Sequence, residues 1–104
     1  DVLAALRAVA ALLAPAAGYF QAPGALELVR VPVDVWAGTA DAITPLAHAQ
    51  ALAQANPSLT LHRIEGAGHF SFLHTLPPGA AEPLPDREAF LTQLTAELCA
   101  FATA

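Results

Sequence analysis

Two short runs rich in β-branched and aromatic residues, Val31 to Ala37 and Leu59 to Ile64, stand on either side of a helical stretch that ends near Ala55. This spacing narrows the possible folds more than any other feature of the chain. Antiparallel neighbours can be joined by a tight hairpin, whereas parallel strands need a crossover long enough to travel back along the sheet. The stretch between the two runs has that length and carries a helix. The sequence therefore reads as a parallel βαβ unit with a right-handed crossover, and the fold class is α/β.

The details of each element support this reading. In the first run Val31, Val33, Val35 and Trp36 favour a strand, Gly38 ends it, and Pro32 fits only at its start or on an edge. Thr44 is placed to cap the helix and Pro45 to take its first position, where a missing N–H does no harm. Leu46, Ala49, Leu52 and Ala53 recur on one face, and Asn56-Pro57 stops the helix. The second run ends in Glu65-Gly66-Ala67-Gly68, whose glycines allow a tight bend, and His69 follows directly. Thr75 to Pro85 is a proline-rich loop closed by Asp86, an N-cap for a helix from Arg87 to about Thr103. Phe90, Leu91, Leu94, Leu98 and Phe101 give that helix one apolar stripe.

The opening is less determined. Val2 to Leu13 is alanine-rich and apolar enough to be a helix or a buried strand, and periodicity does not separate the two. Pro15 to Ala25 reads as a loop, with the next element starting near Leu28. The apolar stretch from Val2 to Ala14 is broken by Arg7 and falls short of the roughly 20 residues of a membrane span.

A chain of 104 residues is one domain or a piece of one. Its hydrophobic share of 56% against 12% charged argues against disorder and for segments that something must cover. Nine acidic residues against four Lys and Arg, with no basic run, give no footprint for nucleic acid or an anionic membrane. The single cysteine, Cys99, excludes an internal disulfide and reads as a packing residue on the last helix.

In open parallel sheets functional groups gather beyond the carboxyl ends of the strands, which here singles out Asp41 and His69. Asp41 precedes His69 by 28 residues, the length of one helix and one strand, so the two should reach neighbouring strand ends. An imidazole accepts a proton near neutral pH, and a carboxylate on its other nitrogen fixes the tautomer and stabilises the imidazolium. A turn aspartate bonding its own backbone and a histidine capping a glycine bend are the plainer alternatives. Asp34, inside the first strand, reads as structural. His48, His62, His69 and His74 show no metal-site spacing, and no cofactor is expected. His74 and Phe72, which follow His69, are candidates for the mouth of a site.

The segments Val31 to Asp41, Thr44-Pro45 and Glu65-Gly-Ala-Gly-His-Phe70 resemble the C-terminal portion of the α/β-hydrolase superfamily. His69-Phe70-Ser71-Phe72-Leu73, running into a proline-rich loop and a final helix, is most similar to predicted dienelactone hydrolases and acetylhydrolase-like esterases. The resemblance implies that residues 1–104 are the C-terminal part of a single α/β-hydrolase domain, with Asp41 as triad acid and His69 as triad base. It also implies that Arg7 to Ala14 is the strand after the nucleophile helix. Neither a Gly-x-Ser-x-Gly nor a Gly-x-Cys-x-Gly elbow occurs, and Ser58 and Ser71 stand in no strand-to-helix turn. The N-terminal strands and the nucleophile are thus expected outside this sequence, and this chain alone is expected to be inactive.

The resemblance implies an ester hydrolase that works through an acyl-enzyme on a small-molecule ester, needs no cofactor, and is completed by the remainder of its own domain. One alternative is a binding module on the same scaffold that has lost catalysis. Another is a complete, independently folding α/β domain, which would be a soluble monomer with a cooperative melt rather than an aggregating or molten chain.

Overall fold

The computed structural model describes residues 9–17 and 22–103. Three strands, β1 (Ala10–Leu13), β2 (Val33–Gly38) and β3 (Leu59–Ile64), form one parallel sheet in the order β1-β2-β3. Helix α1 (Leu46–Ala55) connects β2 to β3, and helix α2 (Arg87–Thr103) closes the chain. The architecture is α/β, with β2 central and buried along nearly its whole length. That burial explains why β2 is apolar on both faces, as central strands of parallel sheets are.

Successive side chains of β2 point to opposite faces, and each face has its own helix. Val33, Val35 and Ala37 pack with Ala49 of α1, with Leu46, Leu59 and Leu61 around them. Trp36 packs on the other face with Ala14, Ala67, Phe72 and Leu94, where α2 adds Phe90, Leu91, Leu98 and Phe101. The expected stripe of α2 thus lies against the sheet. The Trp36 indole stacks on His62 at 4.5 Å, meets the edge of Phe101, and donates to Glu97 of α2 at 3.2 Å. Asp34, on the same face, accepts a 2.7 Å hydrogen bond from His62 across the strands.

Several boundaries differ from the sequence expectations. The ambiguous opening is a strand where it is described, β1, and the expected residues Val2 to Ala8 lie outside the described residues. Leu28 starts no element: it lies in a series of turns and is almost fully exposed. The first expected strand begins two residues late, at Val33, because Pro32 has no N–H for the ladder; its carbonyl accepts from Ala10 at 3.0 Å. Pro45 takes the N-cap position of α1 rather than the first helical one, and Thr44 does not cap the helix. Asp86 does cap α2, accepting from the Ala89 N–H at 3.0 Å. Cys99 is exposed on α2, not packed in the core, because it falls off the stripe that faces the sheet.

Candidate active site

The site forms where β2 and β3 end. Past Gly38 and Ile64 the two chains stay tied by three hydrogen bonds: Thr39 N–H to Ile64 O at 3.1 Å, Ala40 N–H to Ala67 O at 2.9 Å, and Gly66 N–H to the Thr39 hydroxyl at 2.8 Å. Gly66 has φ +79°, a conformation open to glycine, which produces the bend. Gly38 is required for a different reason. A β-carbon there would lie 2.0 Å from the Ala67 carbonyl oxygen, so only glycine lets the two loops cross this closely. The acid loop after β2 and the histidine loop after β3 therefore form one rigid ledge.

On that ledge Asp41 and His69 meet, with Nδ1 of His69 2.9 Å from Oδ2 of Asp41. The Asp41 side chain is 1% exposed and that of His69 is 24% exposed. The other carboxylate oxygen, Oδ1, accepts the N–H groups of Ile43 at 2.9 Å and Thr44 at 2.8 Å. The turn-aspartate role and the histidine-partner role are both present, one on each oxygen. Burial works to raise the Asp41 carboxyl. The Thr44 N–H, the His69 imidazole, the Thr44 hydroxyl and the Ile43 N–H outweigh it, and the carboxyl lies below its ordinary value.

An ionised Asp41 has no proton to donate, so Nδ1 of His69 carries the proton, and in the neutral ring Nε2 presents its lone pair. Among the described residues Nε2 has no hydrogen-bond partner. That is the state in which an imidazole can take a proton from a nucleophile.

Thr44 is the residue that sequence reasoning placed differently. Its hydroxyl lies 2.8 Å from Asp41 Oδ2, 3.0 Å from His69 Nδ1 and 3.2 Å from the Ala14 carbonyl oxygen. It braces the Asp41–His69 pair instead of capping α1. Ala14, at the end of β1, has φ +47°, an uncommon conformation for a residue with a β-carbon. Its N–H bonds Trp36 O and its carbonyl faces Thr44, so all three strand ends contribute to the ledge. The local signal for Thr44 was its position three residues after an aspartate, a spacing that suits side-chain bonding within a turn.

A cavity of about 380 Å³ opens beside His69, lined mainly by small or apolar residues that include Ala40, Ile43, Phe70 and Pro83, with Glu82 the one carboxylate among them. Phe70 takes the lining place expected of Phe72. Phe72 is buried instead, edge-on to Phe90 at 5.5 Å, because the helix stripe draws it into the core. His74 is exposed and does not line this cavity. Asp34 pairs with His62 away from the ledge, as a structural residue. Among the described residues no three His, Cys, Asp or Glu side chains gather as a metal ion would require. Ser71 is 1% exposed and bonded to Glu82 at 2.6 Å, so its hydroxyl is engaged below the ledge. No family model matches the sequence, and no curated protein matches it.

Proposed function

We propose that this chain supplies the acid and the base of a nucleophile–His–Asp triad in an ester hydrolase, and that it forms the C-terminal part of an α/β-hydrolase domain. The observation that carries the reading is the buried Asp41 carboxylate on Nδ1 of a part-exposed His69 at 2.9 Å, at the carboxyl ends of adjacent parallel strands. In this reading a Ser or Cys from the remainder of the domain attacks the ester carbonyl. Nε2 of His69 takes the nucleophile's proton and returns it to the leaving alcohol, and Asp41 stabilises the imidazolium between the two steps. Water then attacks the acyl-enzyme, His69 accepting its proton and passing it to the nucleophile as the acyl bond breaks, and the acid product leaves. No step calls for a cofactor.

The mainly apolar cavity beside His69 suits a short, uncharged acyl or alkyl group: it offers no Lys or Arg for an anionic one, and its one carboxylate, Glu82, is engaged by Ser71, Leu84 and Arg87. A small neutral ester is the substrate class that follows. An acetylhydrolase-like or dienelactone hydrolase-like esterase is the subfamily proposed.

The test is hydrolysis of a short-chain p-nitrophenyl ester by the full-length protein beside Asp41→Asn and His69→Ala variants. Both variants, folded by circular dichroism, are expected to lose kcat by roughly ten-thousandfold. Turnover indifferent to His69 would exclude the mechanism. An inert full-length protein without a nucleophile elbow would leave a binding module on the same scaffold.

A further inference from the structure

The turn that carries His69 is held from below by groups the reaction does not use. Gly68 and Ser71 bracket the histidine: the Ser71 N–H bonds Gly68 O at 3.2 Å, and the Gly68 N–H bonds the Ser71 hydroxyl at 2.9 Å. That hydroxyl donates to Oε1 of Glu82 at 2.6 Å, a short bond typical of a charged acceptor. Oε1 also accepts the Leu84 N–H at 3.1 Å. Oε2 lies 3.2 Å from Nε of Arg87, the first residue of α2, as an ion pair whose direction is not that of a hydrogen bond. Arg87 in turn donates to the His74 carbonyl at 3.2 Å. Pro83 rests on Gly68, where a β-carbon would meet it at 3.0 Å. The proline-rich loop is therefore fastened to the histidine turn at Ser71, at Gly68 and, through Arg87, at His74.

Fastening a loop does not require charge. The Glu82 and Arg87 side chains are only 13% and 17% exposed, and withdrawing such groups from water costs free energy that an apolar contact of similar volume would not. What a directed hydrogen bond supplies and an apolar contact does not is a fixed position for the turn. His69 needs that, since Nδ1 must stay on Asp41 while Nε2 stays free to take a proton, and a displacement of about 1 Å in such a pair can lower a rate about a hundredfold.

We propose that Glu82 is a positioning residue for His69, acting through the Ser71 hydroxyl, so that the proline-rich loop sets the geometry of the base. The inference rests on the triad reading for its kinetic consequence but not for its structural one. The experiment compares Glu82→Ala, Glu82→Gln and Ser71→Ala in the full-length protein. It reads kcat and KM on a short p-nitrophenyl ester, together with the proton resonance of His69 Nδ1–H.

Glu82→Ala is expected to lower kcat roughly tenfold with KM within about twofold, and to broaden or shift the Nδ1–H resonance. Glu82→Gln keeps an acceptor for Ser71 and Leu84 and is expected to restore most of the rate and the resonance. Ser71→Ala removes both the link to Glu82 and the acceptor of the Gly68 N–H, and is expected to lower kcat and disturb the resonance at least as much as Glu82→Ala, should the latter not fold. Variants that melt earlier but keep the wild-type kcat and resonance would overturn the proposal. The resonance needs no turnover, so a protein inert towards esters still answers for the clamp, and the two readings fail separately.

Discussion

At Asp41 the two carboxylate oxygens face different neighbours, and the difference has a measurable consequence. Oδ1 is held by two backbone N–H groups of its own turn, and Oδ2 by the Thr44 hydroxyl and His69. Because these bonds favour the ionised form, the folded carboxyl titrates lower than the unfolded one. A group with a lowered folded value contributes stability in full above its unfolded value, about 3.9, and loses it as pH falls through the folded value. Urea unfolding followed from pH 7 downwards should therefore show stability declining from about pH 4. Asp41→Asn should flatten that part of the decline, since its amide does not titrate. An unchanged acid dependence in the variant would mean that Asp41 is not stabilised as the geometry describes.

Among the elements, α2 depends most visibly on its ends and its stripe. Leu94 is buried against the Trp36 cluster and its neighbours on the stripe are partly buried, while Cys99 and the remaining face are exposed. The helix begins where the Asp86 carboxylate takes the Ala89 N–H and the Asp86 carbonyl takes the Phe90 N–H. Asp86→Ala should cost about 0.5–2 kcal/mol in urea unfolding by leaving the Ala89 N–H to solvent. The start of α2 also carries Arg87, so a shift of that end would be felt at Glu82. The cap was legible from Asp86 and the periodic residues after it. The absence of a cap on α1 was not, because Thr44 has two uses for one hydroxyl and the choice depends on a histidine 25 residues away.

For the molecule as a whole, β1 is the informative edge. Among the described residues it pairs only with β2, and Leu12 and Leu13 are 37% and 39% exposed. On the α1 side Leu12, Val29, Val31, Leu52 and Leu59 line an apolar groove of about 330 Å³. An open strand edge beside exposed apolar surface promotes association. The 104-residue chain is expected to self-associate at micromolar or higher concentration in sedimentation velocity, and Leu12→Lys to shift it towards monomer. A monomer at every concentration would show that this face is covered within the chain.

The sequence by itself determined the types and order of β2, α1, β3 and α2, while the opening segment that forms β1 stayed open between helix and strand. β-branched runs, a helical period and glycine or proline stops act through a few neighbouring residues and are readable wherever they occur. It also determined that Asp41 and His69 stand at the ends of adjacent strands, because a βαβ unit brings the ends of its two strands to the same edge of the sheet. Tertiary structure decided the rest. That Thr44 braces the pair, that Phe72 turns into the core while Phe70 lines the cavity, and that Glu82 reaches back to Ser71 are choices among side-chain partners distant in sequence. Each is settled by which contact is compatible with the packed sheet and helices, and local propensity carries no record of that.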